Sequence, residues 1–160
     1  MTGVEQIALS VWQPWPHLLV TGVKDVENRG WSTTYRGRLW IHASQRFDRD
    51  AYRALRAAGV DLPDLDRLPR GALVGAVELV GCVRDAHSQW AEPGQWHWQM
   101  VQARELARPI PMRGRQRLFP IRPPDESAAS RAAQRPSARQ ATARGLPGQA
   151  VRPRPREGQR

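Results

Sequence analysis

The sequence predicts an α+β fold, a small and mostly antiparallel β-barrel with flanking helices. Two observations carry this expectation. Short alternating or apolar runs of strand length recur through the first 122 residues, and two short amphipathic stretches interrupt them. Residues Ile7 to Trp12 alternate well enough to form a strand. Pro14 and Pro16 then stand where a helix accepts proline, in its first turn, with Leu18, Leu19 and Val20 continuing it and Gly22 placed to cap it. Lys24 to Arg29 resumes as a short extended segment, followed by a loop from Gly30 through residues 31–37. Arg38 to Ala43 alternates as a strand. Asp48 to Ala58 carries Tyr52 and Leu55 at helical spacing, and Gly59 stops it. A Pro- and Asp-rich loop covers residues 62–70. Gly71 to Val83 is apolar at both parities, so both faces of that strand should be covered. Trp96 to Val101 and Arg117 to Ile121 complete the sheet.

Charge is unevenly spread along the 160 residues, whose formal net charge is +10. Residues 1–122 hold 17 basic and 12 acidic side chains; residues 123–160 hold 8 arginines against Asp125, Glu126 and Glu157. Each part is therefore net +5, but the second reaches that value in 38 residues with only Leu146 and Val151 as large aliphatics and no aromatic ring. Such a composition cannot offset a backbone entropy of roughly 1–2 kcal/mol per ordered residue. The expectation is one domain over residues 1–122 and a disordered Arg/Pro/Ala-rich tail over 123–160. The tail is either a non-specific polyanion-binding arm or a solvated extension of an Arg- and Ala-rich bias.

Cys82 is the single cysteine, which excludes an intramolecular disulfide, and the four histidines fit no standard zinc spacing. No metal and no cofactor is expected. No run approaches the roughly 18 apolar residues of a membrane span, and Met1 to Gln6 lack a signal-peptide layout. A cytoplasmic monomer without a membrane partner is the expectation.

The chain has 24 arginines and one lysine, Lys24. Arginine is a permanently charged fork, whereas lysine can give up a proton and act as base or nucleophile, so Lys24 is either a chemical group or a surface lysine. Glu78 is the lone charged residue between Arg70 and Arg84, within the most apolar strand. It must be neutral, line a wet pocket or be paired, either with Lys24 across a shared cavity or with a structural arginine. Glu27 and Arg29 share parity in a strand, and Lys24 joins them only if the turn after Gly22 breaks the pleat. Of the seven tryptophans, Trp15 at a helix start and Trp31 in a loop are placed to stack on bases, whereas Trp12, Trp40 and Trp98 are assigned to the core. The helix start at Gln13–Trp15 could hold an anion, weakly, because Pro14 and Pro16 remove two donors.

These residues resemble a known pattern. The Gln13-Pro14-Trp15 opening, the Gly22-x-Lys24-x-x-Glu27-x-Arg29 box and Tyr35-Arg36-Gly37 leading into Ile41-His42-Ala43 and Ser44 are similar to the ASCH family (activating-signal-cointegrator homology) of the PUA-like superfamily. Gly71 to Leu79, Pro109 to Gly114 and Leu118-Phe119 extend the resemblance over about 110 residues, leaving the tail outside it. The resemblance implies a PUA-like β-barrel of five or six strands and a basic cleft that receives nucleic acid, typically RNA. It implies a site drawn from Gln13, Trp15, Lys24, Glu27, Arg29, Trp31, Arg36 and Ser44. A small bacterial branch of the family is an amidohydrolase on acetylated cytidine; Lys24 and Glu78 match its lysine and glutamate, while Glu27 stands where it has threonine. Other bacterial members are described as ribonucleases, and the Leu9–Ser44 stretch is most similar to the coactivator type.

The leading expectation is thus a module that binds single-stranded or modified RNA, or another nucleic acid. The alternative is a hydrolase using Lys24, Glu27 and Glu78, with Arg29 stabilising a phosphate or oxyanion. A third reading is an interaction adaptor whose pocket takes a small nucleoside ligand. Binder and enzyme are separated by whether Lys24 and Glu78 can touch.

Overall fold

The computed structural model describes residues 5–122. Residues 1–4 and 123–160, and with them the expected tail and domain boundary, lie outside the described residues. The chain runs β1 (Gln6–Gln13), α1 (Trp15–Val20), β2 (Val26–Arg29), β3 (Gly37–Phe47), α2 (Arg49–Ala57), a single 3-10 turn (Leu65–Arg67), β4 (Ala72–Val83), β5 (Trp96–Pro111) and β6 (Leu118–Ile121).

All six strands form one sheet in the order β2-β5-β4-β3-β1-β6. The pairings are antiparallel except β1 with β3, which is parallel and sets Ala8 beside Trp40 and Ser10 beside His42. The expected barrel does not close. A barrel requires its first and last strands to pair, and here β2 and β6 are separate edges, each four residues long and each bonded to one neighbour. All six expected strand positions, three before α2 and three after it, are occupied, but β5 runs ten residues beyond Val101 and forms a long ribbon with β4. Register shifts interrupt that ribbon at three places and bend it.

The helices follow their local chemistry. In α1, Pro16 occupies the first turn and the chain leaves through Gly22 at φ +77°, a conformation that costs glycine little. In α2, the Asp48 carboxylate accepts from Ala51 N–H at 2.9 Å, satisfying one orphan donor. Leu18 from α1 packs with Tyr52 and Leu55 of α2 and with Leu62 and Leu68 of the following loop.

Each sheet face carries its own cluster. Leu9, Val11, Leu39, Ile41, Val77 and Leu79 meet Leu19 and Val20 of α1 and the buried Trp98 on one face. A Cβ on Gly75 would lie 2.7 Å from Val20 and against the Arg104 carbonyl, so only glycine lets α1 and β5 approach β4 there. On the other face, Ala8, Trp40, Leu73, Leu106, Phe119 and Ile121 form a second cluster. Both faces of β4 are thus covered over Ala72–Val77, as its sequence predicts, but not beyond. Glu78 is half-exposed and Val80 is 54 % exposed.

Candidate nucleic-acid interface

Strand alternation builds the site. Leu9 and Val11 point into the first cluster, so Ser10 and Trp12 point from the opposite face of β1. His42 and Ser44 do the same on β3. These four side chains continue the surface that begins with Ala8 and Trp40, and the segment 112–117 between β5 and β6 folds over it. The result is an open cleft of about 880 Å³, walled by Ser10, Trp12, His42 and Ser44 on the sheet side and by residues 112–117 on the other.

The cleft is cationic. Arg46, Arg113, Arg115 and Arg117 line it and no carboxylate does. Two of these arginines lie over tryptophans: Arg46 Cζ is 5.3 Å from the ring centroid of Trp12, which lines the cleft, and Arg117 Cζ is 4.7 Å from that of Trp31, which packs against the first cluster. A cation held over an aromatic face offers a phosphate a charge and a base a platform in one place.

At the inner wall, His42 is 2 % exposed and bonded on both nitrogens. Its Nε2 lies 2.8 Å from the Met112 carbonyl and its Nδ1 lies 2.9 Å from Ser10 Oγ. Burial pushes the imidazole below its ordinary 6.5, and the Met112 carbonyl opposes this only in part. Gly114 backs onto the pair so closely that a Cβ there would sit 2.6 Å from His42 Nδ1 and 2.8 Å from Ser10 Oγ.

Behind this wall is a buried charge cluster. Glu27 is fully enclosed; its Oε2 lies 3.1 Å from Lys24 Nζ and its Oε1 lies 3.3 Å from Arg29 Nε. Lys24 Nζ also donates to the Val26 carbonyl and sits 5.4 Å from the Trp15 ring centroid. The turn does break the pleat. Lys24 N–H donates to the Leu18 carbonyl of α1, and this turns the lysine toward Glu27.

Of the residues expected at the site, Ser44 lines the cleft. Trp31 reaches it through Arg117, and Arg29 through a 3.2 Å bond from Nη2 to the Ser10 carbonyl. Lys24, Glu27 and Arg29 come together as a cluster but are not among the lining residues. Gln13 is fully buried, with its amide donating to the Pro69 carbonyl at 2.8 Å, so it stitches the fold rather than presenting a helix end to an anion. Trp15 packs edge-on against Trp90, 6.5 Å between centroids. Arg36 is exposed and folds back on the Thr33 and Tyr35 carbonyls.

Two expectations are corrected. Lys24 and Glu78 do not share a cavity: Val77 and Leu79 face the first cluster, so Glu78 points from the opposite face, where it pairs with Arg38 at 3.9 Å. Trp12 is not core; it shares parity with Ser10 and forms a cleft wall, whereas Trp40 and Trp98 are buried as expected. Sequence reasoning also missed Ser10, His42, Arg46 and the arginines of residues 113–117. Their signal was three arginines at alternate positions within five residues, between two strands.

Among the described residues no group of three or more His, Cys, Asp or Glu side chains is arranged to hold a metal ion. No helix among them is long and apolar enough to cross a membrane.

Comparison with known proteins places these features in context. The family model described as the ASCH domain matches residues 9–112. The human protein activating signal cointegrator 1 is 43% identical over 83 residues, 47% of this chain and 14% of that protein. Its mouse counterpart is 40% identical over 89 residues, 51% of this chain and 15% of that protein. The chain thus spans about a seventh of the length of the curated relatives it matches. Among solved structures, a mutant of the ASCH protein of Zymomonas mobilis aligns with TM-score 0.47 and 16% identity, covering 73% of this chain and 90% of that one.

Proposed function

The chain belongs to the ASCH domain family, and from that premise we propose that it binds nucleic acid, with single-stranded or modified RNA as the preferred ligand, in the cleft between β1, β3 and residues 112–117. The observation that carries this reading is the charge of the lining: four arginines and no carboxylate, with two of the guanidiniums seated over indole rings. Phosphates neutralise the arginines and release counterions, while unstacked bases find Trp12 and Trp31. Single strands suit such a cleft because their bases are free to turn onto a ring. The buried Lys24–Glu27–Arg29 cluster supports the wall from behind.

A hydrolase built on Lys24 and Glu78 has less support, since Lys24 pairs with the buried Glu27 and Glu78 pairs with Arg38. A small-ligand adaptor uses only part of the cleft and leaves its arginine rim without a role.

The test is a titration of the purified protein with RNA and DNA oligomers at several salt concentrations, beside an assay of acylated nucleosides for binding and turnover. Affinity for single-stranded RNA that falls steeply with salt supports the reading. Turnover of an acylated nucleoside without oligomer binding overturns it.

A further inference from the structure

The Ser10–His42 pair has a hydrogen-bond polarity that follows from its two contacts and from a neutral ring, which burial favours. A carbonyl oxygen only accepts, so the His42 Nε2 facing Met112 carries the proton. In the neutral ring Nδ1 is then an acceptor, and the Ser10 hydroxyl must donate its one proton to it. That leaves the lone pairs of Ser10 Oγ turned to the cleft, which Ser10 lines. The charged groups of the lining are of the other kind: the guanidiniums of Arg46, Arg113, Arg115 and Arg117 only donate, while the amides of Gln45 and Gln116 can do either. Ser44, the other hydroxyl of the lining, is turned back on its own chain and accepts from Arg46 N–H at 3.1 Å.

We infer that Ser10 Oγ is a fixed hydrogen-bond acceptor on the inner wall of the cleft, held there by His42, and that it selects ligands carrying a hydroxyl or N–H donor beside their phosphates. The inference rests on the cleft being the nucleic-acid site and adds what that site reads. Arginines alone accept any polyanion, since phosphate contacts carry no chemical identity. An acceptor whose proton is already committed rewards a donor and leaves a ligand without one facing an unpaired oxygen. In a nucleic acid the donor comes from one of two sources, the ribose 2′-hydroxyl or a base N–H. His42 is a positioning residue here: it touches Ser10, not the ligand.

The experiment measures the affinity of four single-stranded octamers for the wild-type protein and for Ser10→Ala: uridine RNA, its 2′-deoxy form, deoxycytidine, and an abasic deoxyribose phosphate. The abasic strand is built with the tetrahydrofuran analogue, which has no C1′ hydroxyl, so it offers phosphates without base, 1′- or 2′-hydroxyl donors and is the reference. If the hydroxyl is read, Ser10→Ala weakens the RNA about fivefold relative to the reference and leaves both deoxy strands unchanged, as expected for one net hydrogen bond. If a base N–H is read, the deoxy strands weaken with the RNA. His42→Gln retains a donor for the Met112 carbonyl but removes the Nδ1 acceptor, and should lose the same selectivity with its circular dichroism intact. Selectivity unaffected by Ser10→Ala, or all four strands weakened equally, overturns the inference and spares the proposed function. Absence of binding to every octamer overturns both.

Discussion

Arg29 donates to the backbone carbonyl of Ser10 at 3.2 Å, so the guanidinium joins the buried charge cluster to the strand that walls the cleft. The same side chain lies 3.3 Å from Glu27, whose other oxygen faces Lys24. Removing the carboxylate from this cluster strands two cations in the interior. Breaking a buried pair in this way costs about 3–5 kcal/mol. Glu27→Ala should therefore lower the free energy of unfolding measured in urea by that order. A variant that unfolds like the wild type would show that the cluster is not a structural support.

Much of this arrangement was legible in the sequence, and the failures have definite physical causes. Period-two alternation and proline or glycine punctuation located the strands and both helices, because local chemistry decides those. The box of Lys24, Glu27 and Arg29 was recognisable, and its irregular parity foretold the turn that the Leu18 carbonyl enforces. Glu78 misled because an apolar run suggests burial on both faces, whereas the second cluster ends near Ala76 and leaves Glu78 with Arg38 at a half-open surface. Trp12 misled because a large ring in a strand suggests core, although its parity with Ser10 pointed the other way. The cleft itself was not legible. It requires the parallel pairing of β1 with β3 and the return of residues 112–117, both long-range contacts.

Trp12 and Trp40 therefore separate stability from binding. Trp40 is 4 % exposed and its indole N–H donates to Gln6, so Trp40→Ala should cost about 3–5 kcal/mol in chemical unfolding. Trp12 stands in the cleft under Arg46. Its replacement by alanine should leave the unfolding midpoint nearly unchanged and weaken single-stranded RNA by about 1–3 kcal/mol, the value of one stacked base. Finding the large binding loss at Trp40 with its fold preserved would refute this division.

The arginine rim predicts a graded salt response. Each phosphate contact on a single strand contributes a slope of about 0.7 in the logarithm of affinity against that of salt. Replacing Arg113 and Arg115 together by alanine should reduce the slope by up to about twice that amount while sparing the melting temperature, since both are exposed. A truncation after Arg122 removes net charge +5 and should flatten the slope further. A slope that ignores all these changes would place the nucleic acid elsewhere on the molecule.

The neutral state of His42 links stability to pH. Its folded-state value lies below 6.5 because burial penalises the imidazolium. The unfolded chain then takes up a proton at higher pH than the folded one. The contribution of this residue is fully present above about pH 6.5 and is lost as pH falls through the folded value. Nuclear magnetic resonance of the His42 ring should titrate below 6.5, and the urea midpoint should decline over the same window. A ring that titrates above 6.5 would mean that the Met112 hydrogen bond outweighs the penalty of burial.

Gly114 makes the sharpest test of how the cleft is built. Its φ is not in the left-handed region, so alanine is permitted by the backbone and any effect must come from space. An added Cβ would meet His42 Nδ1 at 2.6 Å and Ser10 Oγ at 2.8 Å, distances that real methyl groups do not adopt. His42 has little room to yield, for it is buried, bonded to Met112 and packed edge-on against Phe119 at 6.2 Å between centroids. The segment 112–117 must then lift from the sheet, at about the 1–3 kcal/mol of an overpacked site. Because that segment carries three of the four rim arginines, Gly114→Ala should lose affinity for RNA as well as stability. Gly30→Ala serves as the control, since its nearest outside atom lies 3.9 Å from the added carbon. Equal behaviour of the two variants in calorimetry and in RNA titration would mean that residues 112–117 are not held against the Ser10–His42 wall.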